Sequence, residues 1–139
     1  MKLMANHPFR LVRLAEAHLV VGRPESASLL AVKAIDLAQE QRERGHEAYA
    51  LKLLGDVWAM RDDADQNRAQ EHYRKALELA VQLGMRPLQG HCHLCLGRLA
   101  RRRRDGDAAG AALGTAHDLF QELQMTFWLR QLEAVARGR

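Results

Sequence analysis

Leu54-Gly55-Asp56-Val57-Trp58, with Ala69, Tyr73 and Ala76 after it, recurs in weaker form on both sides of itself. Leu14-Ala15 lies 40 residues before Leu54-Gly55 and Leu96-Gly97 lies 42 after it, while Ala27, Ala69 and Ala109 head the matching second halves at separations of 42 and 40. A fixed period of this size marks a stacked array of helical hairpins, in which each unit buries its apolar face against its neighbours. Arrays of that kind rarely do chemistry, so the period points to binding of another macromolecule.

The punctuation around the repeats predicts seven helices. Pro8 opens the first, because its missing N–H would be unpaired in a first turn anyway, and Gly22 permits the left-handed conformation that ends it. Pro24 opens the second, whose apolar stripe runs Ala27, Leu30, Ala31, Ala34, Ile35, Leu37 and Ala38 and which is expected to end at Gly45. The third is expected over His46 to Met60. The Asp62-Asp63-Ala64-Asp65 turn then offers cap oxygens to a fourth helix with the stripe Ala69, Tyr73, Ala76, Leu77, Ala80 and Leu83. Pro87 starts a fifth that extends to about Arg103. Asp105-Gly106-Asp107 turns into a sixth over Ala108 to Leu123, and Thr126 is placed to cap a last helix over Phe127 to Ala136. The predicted architecture is all-α: a right-handed solenoid of about three hairpins, over residues 8–44, 46–84 and 87–124, with a terminal helix at 126–137, all one domain. Small residues stand where paired helices must approach closely, at Gly55, Gly97, Ala27, Ala69, Ala109, Ala34, Ala76 and Ala116, since interaxial distance follows side-chain size at the contact.

Composition excludes several classes. The 139 residues are 47% apolar, enough for one ordinary core, with a formal charge of +4. No run of eighteen apolar residues suggests a membrane span, and Met1 to Asn6 lacks the apolar stretch and cleavage site of a signal peptide, so a cytoplasmic location is expected. The two cysteines, Cys92 and Cys95, sit three apart in a predicted helix, which fits a reducing compartment better than a disulfide framework.

The residues resemble the tetratricopeptide repeat family, whose pattern is W-x2-L-G-x2-Y followed by A-x3-F. The middle copy fits best. The first has Ala15 for the glycine and His18 for the aromatic, and the third has Ala100 and Leu113. The period of 40 to 42 exceeds the family's usual 34 and is similar to the long repeats of bacterial multidomain signalling proteins, among them nucleotide cyclases and ATPase-linked transcriptional regulators; Leu83 to Leu88 leading into His91-Cys92-His93-Leu94 and Leu96-Gly97-Arg98-Leu99 resembles their C-terminal tails. The resemblance implies a concave groove lined by the first helix of each pair. Aligned on that pattern, the groove would be Phe9, Val12, Glu16, Leu19 and Val20, then Tyr49, Lys52, Asp56 and Met60, then His91, Leu94, Arg98, Arg101 and Arg102. It would grade from apolar to basic and suit a peptide or partner helix with an apolar anchor and acidic residues, because Arg presents bidentate donors to carboxylates. The lysine and asparagine clamp of chaperone-tail-binding members is not implied, since Val12 and Glu16 occupy those places.

Two further clusters invite chemistry. His91, Cys92 and Cys95 fall within one arc of a helix and could touch a soft metal ion, but one helix cannot close a tetrahedron, and small buried cysteines are the simpler reading. A mid-helix Cys-x-x-Cys also lacks the N-terminal placement of redox motifs. The Arg101-Arg102-Arg103-Arg104 run could neutralise phosphates. No aromatics interleave with it, however, and Asp105 and Asp107 follow at once, so cations favouring a helix C-terminus explain it better. No paired carboxylates, phosphate loop or Ser-His-Asp pattern is recognisable. The expectation is therefore a non-catalytic protein-binding scaffold without cofactor or metal. The alternative is a regulatory or oligomerising segment of a larger signalling protein, which Leu3, Met4 and Phe9, apolar where a terminal repeat needs a polar face, would suit through self-association.

Overall fold

The computed structural model describes residues 7–61 and 66–138. Among these the chain forms seven α-helices and no strand: α1 (Pro8–Val20), α2 (Pro24–Gln41), α3 (Arg44–Ala59), α4 (Gln66–Gln82), α5 (Arg86–Arg102), α6 (Gly106–Glu122) and α7 (Thr126–Ala136). They divide into two compact units, Met1–Leu83 and Gly84–Arg139. In the first, α1 packs on α2 and α3 on α4, while α3 also lies against both α1 and α2. Leu11, Val12 and Ala15 of α1 meet Ala27, Ala31 and Ala34 of α2 and Ala50, Leu53, Leu54 and Val57 of α3 in one buried cluster. In the second unit α5 packs on α6 and α6 on α7, with Leu94, Leu113, Ala116, Phe120, Leu132 and Val135 forming the core.

Every small residue singled out by the repeat is buried, and the reason is visible at the glycines. A Cβ built on Gly55 would stand 2.6 Å from Tyr73 Cε1 and 2.7 Å from Cδ1, so the phenol ring of α4 lies flat on the bare backbone of α3. Gly97 of α5 takes the Leu113 side chain in the same way, with Cδ2 2.6 Å away, and Gly90 takes the Phe120 ring. Trp58 completes the middle copy differently: its half-buried ring carries the guanidinium groups of Arg61 and Arg68 at 4.6 and 4.8 Å from its centre.

The helix ends required corrections. α2 stops at Arg42 rather than Gly45, because Arg42 adopts the left-handed conformation (φ 58°) while the Glu43 amide donates back to Ala38 and the Arg42 amide to Gln39. This pair of bonds is the Schellman termination. Gly45 consequently lies in the first turn of α3. The same bond pattern ends α1 at Gly22, α5 at Arg104 and α6 at Gln124, so only one of the four sites uses glycine. Left-handed residues close the second helices at Arg42, Gly84 and Gln124, 42 and 40 residues apart, and the backbone thus repeats with the period of the sequence. Asp105 does cap α6, its Oδ1 accepting from the Ala108 amide at 3.1 Å. Thr126 is inside α7 instead of capping it, and Met125 precedes it without a side-chain bond. Leu83 is exposed and Leu77 half-buried, with Leu79 taking the core position on α4. The Asp62 to Asp65 turn and Met1 to Asn6 lie outside the described residues.

Two substitutions separate steric contact from intrinsic propensity. Gly55→Leu must displace the Tyr73 ring and is expected to destabilise the chain by about 1–3 kcal/mol in urea unfolding. Gly110→Ala on α6, where an added Cβ meets nothing within 4 Å, is expected to stabilise it by up to about 1 kcal/mol from helix propensity alone. An unperturbed Gly55→Leu protein would refute the close approach of α3 and α4.

Candidate functional site

Because α3 lies against α1, their N-terminal halves enclose a cavity of about 390 Å³ lined by Phe9, Val12, Arg13, Glu16, His46 and Tyr49. Val12 is buried and forms the floor. Phe9 and Tyr49 are 42% and 43% exposed, high for aromatic rings in an otherwise well-packed pair of helices. The Phe9 ring stacks nearly parallel on His46, with centroids 5.7 Å apart and planes 4° apart, and the Arg13 guanidinium sits 5.5 Å from the Phe9 centroid. Arg13 and Glu16 are both exposed on α1, so the rim carries one charge of each sign. The geometry suits an apolar or aromatic side chain seated between flat rings, with a polar neighbour held at the rim.

Four expected groove residues, Phe9, Val12, Glu16 and Tyr49, therefore line one cavity. Arg13 and His46 were not anticipated, although each stands one helical turn from an aromatic that was. Leu19, Val20 and Met60 do not reach it. Lys52 and Asp56 are occupied elsewhere: Lys52 Nζ donates to Asp56 Oδ2 at 2.8 Å, and the Tyr73 hydroxyl donates to Asp56 Oδ1 at 2.5 Å. Both members of that ion pair are mostly buried, and the network ties α3 to α4 instead of facing a partner.

In the second unit the expected positions scatter. Leu94, 1% exposed, belongs to the core and presents nothing to a groove. His91 is half-buried and packs edge-on against Trp128, with centroids 4.4 Å apart, and tilted against Phe120. Of the adjacent aromatics Phe127 and Trp128 on α7, Phe127 is exposed and Trp128 packs against Phe120 of α6. Arg98, Arg101 and Arg102 are exposed on α5, the latter two in its last turn, where their charge complements the helix dipole. Arg101 donates to the Ala136 carbonyl at 3.2 Å and, with Arg104 and His117, borders a second cavity of about 560 Å³ whose apolar wall includes Leu113 and Leu132.

Cys92 and Cys95 are buried, and His91, Cys92 and Cys95 do not converge as a set of three ligand atoms among the described residues. Burial pushes the His93 imidazole below its ordinary value of 6.5. No helix among the described residues is long and apolar enough to cross a membrane. The chain matches no protein-family model and no curated protein sequence.

The lowered His93 pKa has a definite sign. A histidine that is harder to protonate when folded binds fewer protons than it does unfolded, so its contribution is present above pH 6.5 and is lost as pH falls through the folded value. Stability is expected to fall as pH drops below about 6.5, and His93→Gln is expected to flatten that slope; urea midpoints measured between pH 5 and 8 check it.

Proposed function

We propose that this chain is a non-catalytic protein-binding module built from tetratricopeptide-like hairpins, and that it holds a peptide or partner helix by an apolar or aromatic anchor. The observation that carries this reading is the α1–α3 cavity. Two half-exposed aromatic rings stand over a buried valine floor, at the positions that the repeat alignment assigns to a binding face. Rigid rings offer contact area at small entropic cost, which is why they dominate binding hot spots. Arg13 at the rim favours a partner with a carboxylate near the anchor, and the exposed Arg98 and Arg102 of the second unit offer carboxylates a further cationic surface. The paired helices and their 40- to 42-residue backbone period support the family resemblance and a solenoid arrangement.

A second reading, a regulatory or oligomerising segment of a larger signalling protein, is favoured by Leu29 and Val32. They lie one turn apart on α2 and are exposed to 75% and 44%, a surface a second copy could cover.

Affinity capture from a cell lysate separates the two. Wild-type chain is expected to retain a partner that Tyr49→Glu loses and Leu29→Glu keeps, with Arg98→Glu/Arg102→Glu weakening retention. Loss through Leu29→Glu alone, with a dimer mass for the wild type in light scattering, would transfer the function to α2.

A further inference from the structure

Among the described residues, one group of three metal-ligating side chains comes together at the start of α3, and it shares His46 with the lining of the α1–α3 cavity. Glu43 is the residue that precedes α3 and His46 follows it by one turn, so both project from the same end of that helix. His7 precedes α1 in the same way, and the packing of α1 on α3 sets the two helix starts side by side. One ligand atom from each of His7, Glu43 and His46 lies within 4.8 Å of the other two, and all three residues are half-buried. His7 and His46 meet edge to face with centroids 5.1 Å apart. Glu43 Oε2 stands 2.5 Å from His46 Nδ1, already within hydrogen-bond distance.

We propose that His7, Glu43 and His46 form a binding site for a divalent transition-metal ion of the zinc type. Two imidazoles and one carboxylate are a donor set that zinc accepts, with metal–ligand bonds of about 2.0–2.2 Å. Ligand atoms around such an ion stand roughly 3.3 Å apart, a spacing implied by those bond lengths in a tetrahedron. The Glu43–His46 contact therefore opens slightly and His7, at most 4.8 Å from the other two, moves in by up to about 1.5 Å, both within the reach of side-chain rotation. The His46 ring nitrogen that takes the ion carries no hydrogen, so the neutral imidazole keeps its hydrogen on the other ring nitrogen, and the Glu43 carboxylate turns its lone pairs from that ring to the ion. His7 Nδ1 now accepts from the Phe9 amide at 3.1 Å, and recruiting that ring to the metal competes with this cap. Three protein ligands leave a fourth position for water. The nitrogen donors discriminate against magnesium and calcium, which prefer oxygen.

The test is calorimetric titration of chelator-stripped full chain with zinc chloride, and separately with magnesium chloride, at pH 7.5. One equivalent of zinc is expected to bind and magnesium is not; His46→Ala and Glu43→Gln are each expected to weaken zinc at least about 10-fold, while circular dichroism shows an unchanged helix content. Cobalt substitution supplies a readout that needs no variant: visible d–d bands without a thiolate charge-transfer band in the near ultraviolet place the ion on nitrogen and oxygen. A thiolate band would assign the ion to Cys92 and Cys95 and overturn the proposal. So would the absence of zinc binding, or zinc affinity indifferent to the His46 and Glu43 substitutions.

Discussion

Flat contact between a bare glycine backbone on one helix and a large side chain on its partner sets the spacing of the hairpins. Tyr73 on Gly55, Leu113 on Gly97 and Phe120 on Gly90 bring paired helices closer than any β-carbon would permit. Once α3 and α4 are seated at that distance, the other face of α3 is free to carry Ala50, Leu53 and Val57 into the cluster shared with α1 and α2. Alanine does the remaining work in that first unit. Ala15, Ala27, Ala31 and Ala34 are completely enclosed, and none has a side chain long enough to separate the helices.

The position of the candidate binding cavity follows from the same spacing. α1 and α3 share the core through Leu11, Val12 and Ala15 on one side and Ala50, Leu53, Leu54 and Val57 on the other, and Phe9, Arg13, His46 and Tyr49 line the opening beside it. Phe9 is held by stacking on His46 and by the Arg13 cation, and its side chain stays 42% exposed. Farther along α3, Asp56 satisfies Lys52 and the Tyr73 hydroxyl within the helix pair.

Much of the fold was legible because close helix packing demands small residues at a fixed period, and little else in a chain does. Gly55, Gly97 and the matching alanines could be placed at helix contacts from spacing alone. The helix boundaries were less readable, since Arg42, Arg104 and Gln124 take a left-handed conformation that usually signals glycine. There, the backbone bonds of the Schellman ending supply what the residue type does not advertise. The site was legible on α1 and at Tyr49, where period and residue type agree. It was not legible at Leu94, because helix periodicity says which residues share a face but not whether that face is covered, and α6 and α7 cover this one. His7 was beyond reach for another reason: it is separated from Glu43 and His46 by all of α1 and α2, and nothing local marks it as their neighbour.

The glycines of α6 lead somewhere else. Gly106, Gly110 and Gly114 share one face and border open space, so that stretch of helix exposes peptide groups with no side chains to shelter them. Each interior glycine lowers intrinsic helix stability by about 1 kcal/mol relative to alanine. α6 is therefore a helix by virtue of what it leans on, Leu113 and Phe120 lodged in the glycine notches of α5. The same bare face lines the second cavity together with Arg101, Arg104 and Leu132, so what α6 offers to that space is peptide backbone rather than side chains.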